Sequence, residues 1–459
     1  MPLPPRAVAA VLAAGGVAFL ALQCVRPALE DRPAGADLDA PAPVKAILRN
    51  SCYACHSTET RLPWFDQVVP AYWLVVHDVR EGREHLNFSE IGALPEAKRK
   101  GLLWEAVNHA MLGAMPPGRY TLIHPHAKVT PEQLAVLKEW LHPAAPAPAP
   151  TLTPAPIVPG VADAALPPVP EAVPAAPPAP NGMAFPSDFR EWRPISTTDR
   201  FDNRTLRMIL GNDVARKAVA EGRVRPWPDG AAFAKIAYAP SADGRAATYK
   251  QVEFMVKDAK GHAATEGWAY GRWVGNELKP YGKDKDFARE CAGCHAPMKE
   301  NDYVYSLPLK DGPADAARFN AEGALPTGLG LPADLLSWQP LASSVDEAAG
   351  TMTTLYANGP ALAAGRAGRL YPAGAVLARV TWARRDDPHW FGARIPGAVR
   401  EVETLAVRED LSRPTASLRP AFAYARYAGA PLAKEPDPDL ATVQARALAL
   451  LAEKASPLP

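Results

Sequence analysis

Four of the chain's five cysteines fall in two pairs, Cys52/Cys55 and Cys291/Cys294, and each pair is followed at once by a histidine, His56 and His295. The spacing Cys-x-x-Cys-His suits one chemistry above others: two thiols add to the vinyl groups of one porphyrin, and the adjoining imidazole turns back onto the iron. A zinc centre would need a further pair of thiolates or imidazoles, and the one remaining cysteine, Cys24, lies in an apolar N-terminal run. A dithiol oxidoreductase would need a βαβ context, which neither flank shows. Chance yields one such pentad in roughly one chain in a thousand of this composition, and two only at the square of that. Two covalently bound haems c are therefore expected, attached at Cys52, Cys55, Cys291 and Cys294, with His56 and His295 on the iron.

The elements that must position these groups are spread over a long chain. At 459 residues it implies about two to four cores. Lys plus Arg is 50 and Asp plus Glu 49, so no cationic surplus invites a nucleic acid. One basic residue, Arg6, precedes an apolar run from Ala7 to Val25 broken only by Gln23. Nineteen residues in helix reach ~28 Å, so 1–27 is expected to anchor the chain in the inner membrane, with a cleaved signal as the alternative. Either way the remainder is expected in the periplasm.

Residues 40–142 carry a helical pattern. Leu102, Leu103, Ala106, Val107, Ala110 and Met111 recur at helical spacing, and Thr130-Pro131-Glu132-Gln133 reads as a capping box ahead of Leu134, Leu137, Trp140 and Leu141. Residues 143–184, almost wholly Pro, Ala and Val at first, read as an extended spacer. Beyond it the sequence repeats. Asp188-Phe-Arg-Glu-Trp192-Arg-Pro194 recurs as Asp334-Leu-Leu-Ser-Trp338-Gln-Pro340, and Trp227-Pro-Asp-Gly230 to Tyr238 recurs as Tyr371-Pro-Ala-Gly374 to Trp382. Matches in constant order imply tandem duplication, with only the first copy keeping the cysteines. Each copy is expected to hold one helix, over 204–222 and 350–365, followed by short antiparallel strands such as 233–238, 252–256 and 268–273. The fold class is thus multidomain α + β: a small all-α domain, then a domain over 185–310, a second copy over 334–432, and a tail over 433–459 in which a helix is allowed.

Residues 40–142 resemble the haem-binding domain found behind a membrane anchor in exported bacterial cytochromes. The resemblance rests on Cys52-Tyr-Ala-Cys55-His56-Ser57, Pro63-Trp64, His77 through Arg83, Leu86-Asn87-Phe88-Ser89, and Met115-Pro116-Pro117 through Tyr120 to His124-Pro125. It implies an all-α c-type cytochrome domain. Met before Pro is where many small cytochromes place a sixth ligand, so Met115 is a metal candidate; a core role is its alternative, and His77, His85, His109, His124 and His126 compete.

Residues 185–309 are similar to the cytochrome P-460 family through Trp227-Pro-Asp-Gly230, Lys235, Val252-Glu253 to Lys257-Asp258, Gly267-Trp268, Cys291 to His295 and Asp302-Tyr303-Val304. The resemblance implies a mainly antiparallel sheet, His as the sole protein ligand to iron, and oxidation of hydroxylamine or binding of nitric oxide. It implies that Lys235 can be cross-linked to the porphyrin rim and that Glu253 can take a proton from bound substrate. An ordinary strand lysine and a surface carboxylate are the other readings of those two residues. Arg272 either donates to a bound ligand or stacks on Trp268 and Tyr270. Arg379 stands where Lys235 does in the second copy, and His389, alone beside Pro388, is read as a plain loop histidine. Three function classes remain: an oxidoreductase passing electrons from the His295 haem to the His56 haem and on to a soluble or membrane carrier, a non-catalytic relay or gas-binding cytochrome, and, ranked last, a structural or sensory haem module.

Overall fold

The computed structural model describes residues 5–29, 35–142, 176–408, 422–436 and 439–458 and divides into two units, 1–143 and 144–459. Residues 143–175, most of the expected spacer, lie outside the described residues.

The first unit is helical: α1 (Pro5–Leu22), α2 (Ala42–Ser51), α3 (Tyr53–His56), α4 (Ala71–His85), α5 (Glu96–Met111), α6 (Gly118–Ile123) and α7 (Pro131–Leu141). Among the described residues no helix is long and apolar enough to cross a membrane, and α1, where the anchor was expected, ends at Leu22. The next residues are tied to α4 and the turn before it. Gln23 exchanges two hydrogen bonds with the backbone of Val69 (3.1 and 2.9 Å), Trp73 Nε1 donates to Val25 O (2.7 Å), and Tyr72 Oη donates to Pro27 O (2.9 Å). α7 starts on the expected capping box, Thr130 accepting from Gln133 N while the Gln133 side chain accepts from Thr130 N. α5 buries Leu103, Trp104, Val107 and Asn108, a face rotated slightly from the apolar positions read in sequence.

The second unit is built on antiparallel sheet. Its first half runs β1 (Arg193–Arg200), β2 (Thr205–Gly211), α8 (Asp213–Glu221), β3 (Ala232–Pro240), β4 (Ala246–Lys257), β5 (Trp268–Val274), β6 (Lys279–Pro280) and α9 (Phe287–His295). Its second half runs β7 (Gln339–Asp346), β8 (Thr351–Ala357), α10 (Gly359–Arg366), β9 (Val376–Asp387), β10 (Trp390–Val407), β11 (Phe422–Ala428), β12 (Ala433–Lys434) and α11 (Leu440–Leu451). Strand order is β6-β5-β4-β3-β2-β1-β10-β9-β8-β7, with β11 on β10 and β12 on β11.

Two expected helices are corrected to strand followed by a shorter helix. Residues 205–211 and 351–357 are β2 and β8, and only Asp213–Glu221 and Gly359–Arg366 are helical. Both faces of these strands are covered, so their apolar runs carry no strand signature. Met208 and Leu210 enter one core and Ile209 the other, which erases the alternation that marks a half-exposed strand. Residues 233–238, 252–256 and 268–273 do lie in β3, β4 and β5.

The halves repeat in detail. Asn212 caps α8, accepts from Ala215 N and Ala232 N (3.0 and 3.1 Å) and donates to Gly230 O (2.8 Å). Asn358 does the same to Ala361 N, Val376 N and Gly374 O (3.2, 2.9 and 2.9 Å). Gly230 and Gly374 have φ of 84° and 83°, a region glycine enters without steric cost.

One sheet face in each half packs into a shared core, where Trp192, Phe254, Trp273 and Tyr238 meet Tyr356, Trp382, Val402 and Tyr427. The opposite faces carry the helices: α8 and α9 lie on Ile195, Ile209 and Phe233, and α10 and α11 on Leu341, Leu355 and Leu377. The last stretch of the expected spacer also belongs to this body. Ala179 is buried in the shared core, Trp273 Nε1 donates to Pro177 O (2.9 Å), and Asn181 Nδ2 donates to Tyr270 O (2.9 Å).

Candidate functional site

In the helical unit, α2 hands over to α3 at Cys52, whose N–H closes α2 on Leu48 O (2.8 Å), while Cys52 O accepts from Cys55 N and His56 N (3.2 and 3.0 Å). The thiols and the imidazole thus lie within one turn. His56 Nδ1 faces two carbonyls, Gly82 O at 2.9 Å and Leu86 O at 3.1 Å, so it carries the proton and leaves Nε2 a bare lone pair for a metal. α4 comes in so close that a Cβ on Gly82 would meet Cys55 O at 2.9 Å and His56 Cε1 at 3.3 Å, so glycine is required there. Burial pushes the Cys52 thiol up to about 12, with Cys55 adding to it, and the Cys55 thiol up to about 11, with Asp78 and Asp66 adding to it. Burial thus holds both sulfurs back from the thiolate form that zinc binding and disulfide exchange use.

Met115 is 39% exposed, and its N–H donates to His109 O (3.1 Å). The competing histidines separate by environment. His124 is buried against Asp66 (Nε2 to Oδ2 3.0 Å) and stacked on Tyr120, His77 pairs with Glu81 at 3.7 Å, and His85 and His126 are exposed. His109 Nε2 is buried and makes no hydrogen bond, a distinction the sequence does not carry.

In the β unit, α9 ends on Cys291, Cys294 and His295. His295 Nδ1 donates to Tyr303 O at 2.7 Å, again leaving Nε2 open, and the ring lies between Tyr270 and Tyr305, with centroids at 5.4 and 5.2 Å. That carbonyl is turned inward by two successive left-handed residues, Asp302 and Tyr303, at φ 49° and 64°. Such non-glycine residues cost about 1–2 kcal/mol each and persist where surroundings hold them. Asp302 is held by Lys257 Nζ (2.7 Å) and Trp227 N (2.8 Å), and the Lys257 ammonium lies 4.8 Å over Trp268. Burial lowers His295 to about 4, with the Tyr303 carbonyl opposing and Lys235 lowering it further. Burial likewise pushes Cys291 up to about 11, against the pull of Arg272.

On the sheet face under α9, Lys235, Glu253 and Arg272 stand directly opposite one another on β3, β4 and β5. Lys235 and Glu253 form an ion pair, and Arg272 Nη2 lies 3.5 Å from Glu253. Burial lowers Lys235 to about 8, although Glu253 opposes that shift. Burial alone would raise Glu253, but Lys235, Arg272 and Arg207 hold it well below the ordinary carboxylate range. Arg272 stacks on Tyr281 (4.6 Å), not on Trp268 or Tyr270 as its strand face suggested, and its Nε is buried without a hydrogen bond. The second half repeats the row as Arg379, Glu403 and Arg426 in matching registers. There Arg446, beside the buried Ala447 and Leu450 of α11, reaches Glu403 at 3.1 Å, so the C-terminal helix occupies the face that α9 takes in the first half.

The donor sets fit covalently held porphyrins: each is a Cys-x-x-Cys pair with an adjoining imidazole whose Nδ1 is engaged on backbone carbonyl oxygen and whose Nε2 is left for iron. Among the described residues no group of three or more His, Cys, Asp or Glu side chains stands together as a metal cluster. Sequence reasoning missed Tyr305 and His389. His389, in the turn between β9 and β10, places Nδ1 2.6 Å from Tyr305 O. Comparison with known families supports a haem cytochrome: residues 13–143 match a haem-binding domain and residues 186–306 match cytochrome P460. No curated protein matches the chain.

Proposed function

We propose that this haem protein, with its helical haem-binding region and its cytochrome P460 region, is an exported dihaem cytochrome c. In this reading the haem at His295 binds or oxidises a small nitrogen species, hydroxylamine or nitric oxide, and exchanges electrons with the haem at His56. One observation carries it. Both histidines engage Nδ1 on backbone carbonyls, His56 on Gly82 and Leu86 and His295 on Tyr303, which leaves each Nε2 for iron beside a Cys-x-x-Cys pair. Iron porphyrin, when bound, supplies redox chemistry and, with one protein ligand, an open face for a small molecule.

The chain's own residues do the remaining work. Met115 would join His56 in holding the iron of that haem. Glu253 is the proton acceptor for substrate, but an anion held this far below its ordinary range is a weak base. A bond from Lys235 to the porphyrin rim would remove the cation that contributes most to that depression, so Glu253 would rise toward the range where it takes a proton. The cross-link and the base therefore belong together. The Lys235–Glu253 ion pair favours the second reading, an unlinked haem c that relays electrons or captures a gas. The second half, without cysteine pairs and with Arg379 in place of Lys235, holds no covalent haem. Thioether attachment takes place outside the plasma membrane, so the periplasm is the compartment and a soluble or membrane carrier the electron partner. The hydrogen bonds from residues 23–27 into the helical unit support an N-terminal segment that stays attached over one that is removed.

Denaturing mass spectrometry of the full chain tests this. The expected mass is the polypeptide plus two porphyrins, falling by one in Cys52→Ala/Cys55→Ala and by one in Cys291→Ala/Cys294→Ala; a colourless chain or a single adduct overturns it. A peptide joining Lys235 to porphyrin, with a red-shifted Soret band, selects the enzyme over the relay.

A further inference from the structure

We infer that the second half of the β unit completes the haem site of the first half, with His389 and Trp390 acting as positioning residues for the axial His295. The inference rests on the reading that haem is attached at Cys291 and Cys294. Opposite Tyr270, one short segment holds His295: Tyr303 O accepts from its Nδ1 (2.7 Å), and the Tyr305 ring stands edge-on to the imidazole at 5.2 Å and 77°. Tyr305 Oη also donates to Cys294 O (2.7 Å), so this residue braces both the ligand and the turn that carries the thioether cysteine.

What holds Tyr305 in turn comes from the β9–β10 hairpin of the other half. His389 Nδ1 donates to Tyr305 O at 2.6 Å, and the Trp390 indole packs edge-on to the Tyr305 ring at 5.4 Å. Both residues are themselves fixed. His389 N donates to the buried Asp387 (2.8 Å), and Trp390 Nε1 donates to Asp202 Oδ2 (3.0 Å). Arg200 lies 4.1 Å over the Trp390 ring and also bonds Asp202, clamping the indole from the first half's own β1–β2 turn. Gly392 lets the hairpin come this close, since a Cβ there would meet the Asp202 side chain at 2.5 Å. The haem-lacking half thus reaches past the shared core to within one residue of the axial ligand. Ligand orientation and basicity are set by such outer contacts, so the second half acts on the iron through Tyr305.

The test uses the full haem-loaded chain. In His389→Leu both porphyrins are retained by mass and the His56 haem spectrum is unchanged. The ferrous iron–histidine stretching band of the His295 haem broadens or doubles, and its reduction potential moves away from that of the unsubstituted chain. His389→Gln, whose amide can still donate to Tyr305 O, returns both readouts toward the original. An unmoved band and potential in His389→Leu with both haems bound overturn the inference, as does a His389→Gln chain displaced as far as His389→Leu. Should His389→Leu not fold, Trp390→Phe, which keeps a ring on Tyr305 but loses the bond to Asp202, is read for the same two outcomes. Absence of porphyrin from the Cys291 peptide of the unsubstituted chain would instead overturn the functional reading beneath it.

Discussion

Each candidate histidine owes its tautomer to a backbone carbonyl, and each carbonyl is delivered by a residue with little freedom to change. At His56 that residue is Gly82. Gly82→Ala is expected to force a Cβ onto the Cys55 carbonyl and to destabilise the helical unit by about 1–3 kcal/mol, with reduced haem content at Cys52/Cys55 alone; denaturant unfolding and peptide mass mapping check both. Met115 carries a separate expectation. If its thioether is the sixth ligand, Met115→Ala turns the ferric His56 haem from low to high spin and lowers its potential. An unchanged low-spin spectrum would shift the role to His109, whose buried Nε2 has no hydrogen bond.

Among the elements, the segment after α9 carries two successive left-handed non-glycine residues. Its left-handed Asp302 and Tyr303 are held from β4 by Lys257, an ion pair with side-chain exposures of only 9% and 11%. Lys257→Met should leave the Asp302 carboxylate without its cation and cost about 3–5 kcal/mol, while adding Asp302→Asn should recover part of it; chemical denaturation of the three chains measures the difference. The β9–β10 hairpin has a pH signature. Burial raises Asp387 above its ordinary range, more than His389 N–H, Arg200 and Arg385 lower it. Its folded form therefore binds the proton more tightly than the unfolded chain, and stability is lost as pH rises from the unfolded value through the folded one. Asp387→Asn keeps an oxygen acceptor for His389 N and should stabilise the protein at pH 7 and leave it nearly unchanged at pH 3. Melting temperatures at the two pH values check the sign.

For the molecule as a whole, the two halves of the β unit are one folding body. The shared core takes Phe254 and Trp273 from one half and Tyr356 and Trp382 from the other, all nearly inaccessible, and burying such side chains is worth about 1.5–3 kcal/mol each. The halves also clasp reciprocally: Val345 N donates to Gly244 O in the β3–β4 hairpin, and β1 pairs with β10 at Asp199 and Arg394. A chain ending before residue 334 would expose that core and is expected to aggregate or pair with itself. If it instead stays monomeric, soluble and haem-loaded by light scattering and absorption, the first half does not need the second to cover its core.

The sequence by itself carried the proposed attachment chemistry, because Cys-x-x-Cys-His is a contiguous pattern that needs no fold to be read. It also determined the order of units and the repeat, whose matching residues Asn212 and Asn358 or Gly230 and Gly374 recur at local positions with local hydrogen-bonding reasons. It failed at β2 and β8, where burial on both faces removes the alternation that marks a strand. Only the tertiary structure decided which partners the site residues meet. Lys235, Glu253 and Arg272 become neighbours through strand register, Lys257 meets Asp302 across 45 positions, and His389 meets Tyr305 across 84. Such contacts depend on how separate elements pack, and a linear pattern carries no record of that.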